Sequence, residues 1–362
     1  MDRGGLETFI MNTYRKVNRS KVQFDFLMTR QEVGDYDEEI ISLGGMIHNL
    51  PHISTIGYIN YRRIVKQFFE THPEYNIVHC HMNTWSGFFL PIAKKYGVPV
   101  RIAHSHSTKN STQAFGGYIG YLYKQYNKLF INRSATDLFA CSNKAGEWLF
   151  GKKASFLVIN NGIDSEGYKF NEKIRSIKRK SLCDNGDTYI IGHVGGFREP
   201  KNHEFLIDIF KKIYEKNENS LLCLVGEGEL RSKIEKKVDV LGLKHAVKFL
   251  GVRNDVNELM QAFDVFLFPS IYEGLGMVII EAQASNLPSV VSASIPREVD
   301  IGSGLIEFIS LQANTEKWAD TVLRKKEKYN RTLLNPNNLL IKGYDSQYVA
   351  DKLQRFYVER SV

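Results

Sequence analysis

The stretch FLFPSIYEGLGMVIIEA, residues 266–282, decides the fold. An apolar run typical of a buried strand leads into a loop with two glycines, and a helix-forming segment follows. Backbone N–H groups from about Leu275 to Val278 would point outward, unpaired, at the positive end of that helix. A strand, a glycine loop and a helix N-terminus in this order form an anion site of a size that suits a diphosphate.

The same alternation of short apolar runs and helix-period segments extends along the chain and indicates parallel βαβ architecture. In the first half, strands are predicted at residues 22–27, 77–80, 100–103, 137–140 and 156–159. In the second half they are predicted at residues 189–194, 221–225, 247–250, 265–268, 289–291 and 305–309. Helices are predicted over 117–132 and, at the end of the chain, over 347–359.

A turn at residues 161–164, followed by a polar segment rich in Lys and Arg up to residue 180, marks a domain boundary. We predict a Rossmann-like domain at 1–164, a second one at 165–340, and a C-terminal helix within 341–362 that packs back toward the first domain. The predicted fold class is α/β, with two doubly wound parallel-sheet domains that face each other across a cleft. Ligand residues are expected at the carboxyl ends of the strands.

The 362 residues carry a formal charge of +8, and most of the excess lies in the first half. Up to Asp164 there are 19 Lys and Arg against 13 Asp and Glu, a balance of +6. Such a bias fits an anionic membrane surface, a phosphorylated substrate or nucleic acid, and a merely solvated basic surface is the plain alternative. The sequence lacks a Lys/Arg run, zinc-finger spacing and a ribonucleoprotein aromatic motif, which argues against nucleic acid.

The four cysteines are far apart along the chain, and no apolar run reaches the roughly 18 residues of a membrane span. We expect these cysteines to be buried free thiols of a protein in a reducing compartment. We therefore expect a cytoplasmic protein, with peripheral contact at the inner face of the membrane through the basic N-terminal half as an open alternative.

The carboxylates Glu273 and Glu281 are eight residues apart, one in the loop and one in the helix, so they cannot form a close acid/base dyad. One can face a sugar while the other accepts hydrogen bonds from a ribose diol. Glu-x7-Glu, with Pro-Ser-x-x-Glu-Gly around its first glutamate, resembles the donor motif of family 4 of the retaining GT-B glycosyltransferases. The alternative is that both are ordinary surface residues.

A second segment, residues 195–203, is similar to the family's Gly-Arg-aromatic-x-x-x-Lys phosphate motif and places Lys201 at the Lys position. A cation between strand and helix neutralises a diphosphate leaving group. The sequence departs from the family at Gly196, where an Arg is usual. Arg198 could supply the missing charge, or it could be a solvated loop residue.

Three more motifs occur along the chain in the same order as in the family. Gly226 and Arg253 lie in turns after predicted strands and resemble the family's nucleoside-facing turns. Gly5 lies in a segment that resembles the family's Gly-Gly loop near the donor phosphate and acceptor, where glycine permits close backbone approach. The family has a strand immediately before this loop, whereas only four residues precede Gly5 here. We therefore expect the first strand of the N-terminal sheet to be missing, with a cut or mis-assigned N-terminus as the alternative.

Histidines end two of the predicted strands, His79 and His81 at the first, His104 and His106 at the second. The resemblance assigns His106 to the reacting sugar. By spacing alone each pair could instead be metal ligands or satisfied core residues. With no third ligand apparent beside His104 and His106, no metal site is predicted.

The resemblance implies retaining transfer from a nucleoside diphosphate sugar, UDP-linked, to a hydroxyl of a glycan or lipid-linked acceptor in cell-surface polysaccharide synthesis. Lys201 would hold phosphate together with the amides of Leu275 and Gly276, Glu281 would hold the ribose, and Glu273 would face the donor sugar. No cofactor and no divalent metal are expected, and nucleic acid is not an expected partner. A sugar-nucleotide epimerase on the same scaffold and a weakly active binding subunit of a polysaccharide assembly complex remain alternatives.

Overall fold

The computed structural model describes residues 1, 4–29, 31–107, 117–328, 331 and 343–361, with only the backbone described for 117–122 and 326–328. Its contacts divide the chain into two compact units. Unit 1 comprises Met1–Ile163 together with Gly343–Val362, and unit 2 comprises Asp164–Lys342. We describe each unit by itself.

Unit 1 contains a parallel four-stranded sheet in the order β3-β4-β5-β6. Its strands are β3 Ile77–Cys80, β4 Val100–Ser105, β5 Asp137–Ala140 and β6 Leu157–Val158. The helices that connect them are α4 Ser86–Lys95, α5 Gly117–Ser134 and α6 Asn143–Phe150. The predictions for β3, β4, β5 and α5 are confirmed within two residues, whereas β6 is only two residues long.

The first part of unit 1 differs from the predicted pattern. A separate two-stranded parallel sheet consists of β1 Phe26–Met28 and β2 Ile47–Asn49, accompanied by α1 Gly5–Lys16, α2 Asp37–Ser42 and α3 Ile53–Thr71. The strand predicted at 22–27 was placed too early, because Val22 and Phe24 pack against a buried cluster ahead of the paired residues. Strand β2 was not predicted, since three residues are too short for a periodic signal.

The last helix, α14 Ser346–Arg360, belongs to unit 1 and packs along α1. Its Val349, Leu353 and Tyr357 are buried in a cluster with Phe9 and Ile102. The predicted helix at the end of the chain is therefore confirmed, and its apolar side is covered.

Unit 2 has a six-stranded parallel sheet in the order β12-β11-β10-β7-β8-β9. Its strands are β7 Tyr189–Val194, β8 Ser220–Val225, β9 Val247–Phe249, β10 Val265–Phe268, β11 Ser289–Ser292 and β12 Ile306–Ile309. Its helices are α7 Ser165–Tyr168, α8 Glu172–Leu182, α9 His203–Lys216, α10 Arg231–Val240, α11 Val256–Ala262, α12 Met277–Ala284 and α13 Thr315–Lys328. All six predicted strands are confirmed, with ends shifted by one residue at most.

The strand order places β7 beside β10 in the middle of the sheet, with Val265 opposite Ile191. The chain winds outward from this pair in both directions, so the loops after β7 and β10 meet at a topological switch point. Gly192 allows the close packing beneath it, because a Cβ there would lie 2.0 Å from the Phe263 ring. The geometry of the sheet therefore brings the two phosphate-like motifs of the sequence together.

None of the helices in the described part of the chain is both long enough and apolar enough to cross a membrane.

Candidate functional site

Three glycine-containing loops are joined at the carboxyl edge of the unit 2 sheet. The Gly195 N–H donates to the Val225 carbonyl at 2.9 Å, and the Gly226 N–H donates to the Gly251 carbonyl at 2.8 Å. Gly226 has a φ of +138°, and a Cβ there would lie 2.4 Å from the Gly195 carbonyl oxygen. Only glycine fits this position, so the predicted turn at Gly226 has a structural role in holding the loops together.

The loops after β7 and β10 are also joined to each other. The Ile271 N–H donates to the Pro200 carbonyl at 2.8 Å, and the Asn202 side-chain amide donates to the Pro269 carbonyl at 3.1 Å. These bonds hold Lys201 beside Glu273, so that Lys201 Nζ lies 2.7 Å from Glu273 Oε1. Both side chains are largely buried, at 24% and 12% exposure. The structure thus brings together two residues that the sequence placed 72 positions apart.

Helix α12 begins directly after the β10 loop and aims its N-terminus at this edge of the sheet. Gly276 caps it with a φ of +94°, and Leu275 is buried just before it. The first N–H groups of an α-helix have no partner within the helix. An anion placed here would meet these amides and the positive end of the helix dipole.

Glu281 lies in the second turn of α12 and is only partly exposed. Desolvation by the surrounding protein raises the pKa of its carboxyl to about 7, against a hydrogen bond with the Tyr168 side chain that lowers it. Tyr168 reaches this position because α7 packs on α12. Sequence reasoning missed Tyr168, which lies in a polar segment 113 residues upstream and has no motif around it.

Two arginines, Arg198 and Arg253, and the glycine that replaces the family's usual Arg, Gly196, differ in the charge that they can offer a ligand. Arg198 is exposed, and its side chain has no hydrogen bond or ion pair with the described residues. Arg253 is instead bound to Asp255, with Nε to Oδ1 and Nη2 to Oδ2 both at 2.8 Å. These bonds, together with Lys178, lower the pKa of the Asp255 carboxyl. A Cβ on Gly196 would contact only the Glu227 carbonyl, at 3.3 Å.

In unit 1, the two histidine pairs form one cluster. His79 Nε2 lies 3.1 Å from His104 Nδ1, and His81 Nδ1 lies 2.8 Å from His106 Nε2. Burial lowers the pKa of all four imidazoles, that of His81 to about 3. The expectation that no third ligand lies near His104 and His106 was wrong, because β3 and β4 are neighbours and end at the same edge. This adjacency was available from the strand predictions.

Gly5 is the first residue of α1 and is exposed, with no atom within 4 Å of a Cβ built on it. Of the residues before α1, the structure describes only Met1 and Gly4, and neither belongs to a strand.

Comparison with known proteins assigns the family. The model Glycosyltransferase Family 4 matches residues 3–166, and the model Glycosyl transferases group 1 matches residues 174–332. The chain is 38% identical over 373 residues to "Putative glycosyltransferase EpsF" of Bacillus subtilis (strain 168), covering 99% of this chain and 94% of that protein. This chain belongs to the family 4 glycosyltransferases. The resemblance to family 4 that the sequence motifs indicated is thereby confirmed.

Two further proteins are similar to this family 4 glycosyltransferase. It is 25% identical to an Escherichia coli protein named UDP-Gal:alpha-D-GlcNAc-diphosphoundecaprenol alpha-1,3-galactosyltransferase, covering 80% of this chain and 76% of that one. A crystal structure of Anabaena Alr3699/HepE in complex with UDP-glucose has a TM-score of 0.79 at 18% identity, covering 99% of this chain and 97% of that chain. The similarity confirms the predicted GT-B fold of this glycosyltransferase.

Proposed function

We propose that this glycosyltransferase moves a sugar from a UDP-sugar to a hydroxyl of a glycan or lipid-linked acceptor, with retention at the anomeric carbon, in cell-surface polysaccharide synthesis. The observation that carries the proposal is the Lys201–Glu273 pair beside the N-terminus of α12 at the switch point of the unit 2 sheet. The UDP-glucose complex of HepE and the galactosyltransferase name of the Escherichia coli relative support the donor class.

In this proposal the diphosphate displaces Glu273 as the partner of Lys201. The cation and the first amides of α12, from Leu275 and Gly276 onward, then bear the charge that develops on the leaving group. No divalent metal is needed at the diphosphate, since these groups take its place. Glu273, whose Oε1 lies 2.7 Å from Lys201 Nζ, is released from that cation by the diphosphate and faces the donor sugar.

Glu281 binds the ribose diol through its carboxylate, and the hydrogen bond with the Tyr168 side chain orients that carboxylate. His106 acts on the donor sugar as a neutral imidazole, a state that its surroundings favour because burial and His81 lower its pKa well below the usual value. Arg198, exposed and unpaired among the described residues, supplies the second phosphate cation that the family carries at Gly196.

A lipid-linked acceptor would bring unit 1 to an anionic bilayer surface, which is the cytoplasmic face in this proposal. The excess positive charge of the N-terminal half supports this placement. So does α3, on which Tyr58 and Ile59 are exposed, Ile59 at 78%, one turn before the exposed Arg62 and Arg63. Co-sedimentation with anionic vesicles should be lost in Ile59→Ser/Arg63→Ser and kept in the matched unit 2 variant Val240→Ser.

The decisive experiment incubates the protein with a panel of sugar nucleotides and candidate acceptors in EDTA, and follows nucleoside diphosphate release. Acceptor-dependent release of UDP, with a product whose anomeric configuration by NMR matches the donor, is the expected result. An inverted product would refute retention. A sugar nucleotide that is epimerised without acceptor would instead establish the epimerase alternative.

Lys201→Met and Glu273→Gln test the site assignment in the same assay, with Lys216→Met as a control on the far end of α9. Both site variants should lose at least about tenfold in kcat/KM, because each removes a charge-assisted contact. Normal turnover in both would refute the assignment even if transfer itself were observed.

A further inference from the structure

Unit 1 contains a compact group of imidazoles at the carboxyl ends of β3 and β4. One ligand nitrogen from each of His79, His81 and His104 can be chosen so that all three lie within 4.8 Å of one another. His104 is fully buried, whereas His79 and His81 are partly exposed. The transfer mechanism above uses only His106, so these three side chains have no role in it.

The spacing of the nitrogens suits a bound ion. Two ligand nitrogens of a tetrahedral zinc site are about 3.3 Å apart, given Zn–N bonds of about 2.0 to 2.1 Å. His79 Nε2 and His104 Nδ1 are 3.1 Å apart, close to that value.

The surroundings of the cluster also match those of metal sites. Metal-bound histidines usually donate their second ring N–H to an oxygen that fixes the tautomer. The hydroxyl of Tyr357 lies 2.5 Å from His79 Nδ1 and can take this part, leaving Nε2 free to bind a metal.

We propose that His79, His81 and His104 bind one divalent transition-metal ion, with Zn²⁺ the best match to three imidazole ligands and one open position for water. The ion would join the ends of β3 and β4 to α14 through Tyr357, and would fix His81, the hydrogen-bond partner of His106. This site lies in unit 1 and is distinct from the groups of unit 2 that we assign to the diphosphate.

The test uses full-length protein without an affinity tag, freed of metal with chelator and then given ZnCl₂ or CoCl₂. Elemental analysis after gel filtration should find one zinc per chain. The cobalt form should show the visible absorption of a tetrahedral nitrogen-bound ion. His79→Ala/His104→Ala should lose both signals, whereas the exposed His245→Ala in unit 2 should keep them.

A second variant guards against loss of folding in the double mutant. Tyr357→Phe keeps all three ligands and should weaken zinc binding about 10- to 100-fold in competition with a chromogenic chelator, because it removes the oxygen bound to His79. Zinc should also raise the melting temperature of the wild type up to one equivalent and leave that of the double variant unchanged. The proposal is overturned if the wild type retains no stoichiometric zinc or cobalt, or if the histidine variants bind as much as His245→Ala. UDP-sugar binding by the metal-free protein is measured in parallel, so that failure of the donor site is recognised separately.

Discussion

Replacing Glu281 with glutamine should stabilise unit 2 at alkaline pH and, in the same protein, abolish binding of the donor. The carboxyl of Glu281 is withdrawn from water, and its pKa is raised from 4.5 to about 7. The folded protein therefore holds this proton more tightly than the unfolded chain does. The corresponding contribution to stability is full below the unfolded value of 4.5, and it is lost as pH rises through 7.

The size of the effect follows from the shift. At about 1.4 kcal/mol per pH unit, ionising Glu281 in the folded state costs about 3 kcal/mol at pH 8 and about 1 kcal/mol at pH 5. Glutamine has similar shape and keeps a polar group toward Tyr168, but it never ionises. The stability of Glu281→Gln relative to wild type should therefore increase by about 2 to 3 kcal/mol between pH 5 and pH 8.

The assay can be confined to unit 2. The chain has three tryptophans, and Trp318 alone lies in unit 2, fully buried in its core. In a Trp85→Phe/Trp148→Phe background, urea unfolding followed by fluorescence reports on unit 2. Glu229→Gln, which changes an exposed carboxylate of the same unit, serves as the control and should change stability little at either pH.

Donor binding completes the test. If the ribose diol is bound by the carboxylate, as we propose, the affinity of the wild type for UDP-glucose should rise about tenfold from pH 6 to pH 8. A UDP-sugar is the proper probe because its diphosphate is a diester, whereas a terminal phosphate itself titrates near pH 6. Glu281→Gln should show no measurable donor binding at either pH. A stability difference that does not change with pH, or full donor affinity in the variant, would refute the reasoning.

Three other substitutions probe the loops of the donor site. Lys201→Met should weaken UDP binding at least about tenfold by calorimetry, because it removes a charge-assisted contact and leaves Glu273 without its partner; unchanged affinity would place the diphosphate elsewhere. Gly226→Ala should destabilise unit 2 by about 1 to 3 kcal/mol in urea unfolding and weaken UDP binding, because the new Cβ would lie 2.4 Å from a carbonyl oxygen. The control Gly186→Ala places its Cβ in open space and should change neither stability nor binding. Gly196→Arg should change the affinity for UDP less than about threefold, because Arg198 already supplies a second cation; a gain of about tenfold with a steeper salt dependence would mean that this cation is missing.

The C-terminal unit was predictable almost completely because each of its strands is a continuous apolar run bounded by turn residues. In β10 and β8 every residue is buried, and in β7 all but the last are, so the hydrophobic signal was uninterrupted. The strands at the start of unit 1 were not predictable in this way, because β1 and β2 are three residues each and only the first residue of β1 is buried. Such short, half-exposed strands owe their existence to tertiary pairing, which local sequence does not encode.

The donor site was predictable in its residue types but not in its contacts. Motif order placed Lys201 and Glu273 on loops after β7 and β10, yet their ion pair depends on these strands being neighbours, which only the strand order of the sheet establishes. Tyr168 could not be found at all, because a single tyrosine in a polar helix carries no signal of what it faces. The departure at Gly196 was visible in the sequence, but its surroundings are known only from the structure, where a Cβ would lie 3.3 Å from the Glu227 carbonyl oxygen.

The contact between the two histidine pairs, in contrast, was predictable from the sequence. It was missed because each His-x-His motif was considered separately. Two His-x-His pairs end two predicted strands, and parallel strands joined by one helix are usually neighbours that end at the same edge. The two strands are paired, and the observed register, with His79 opposite Ile102, brings the histidine pairs into contact. Polar side chains of the same type at the ends of consecutive parallel strands should therefore be evaluated as one group. In this chain the group contains His79, His81 and His104, whose ligand nitrogens lie within 4.8 Å of one another.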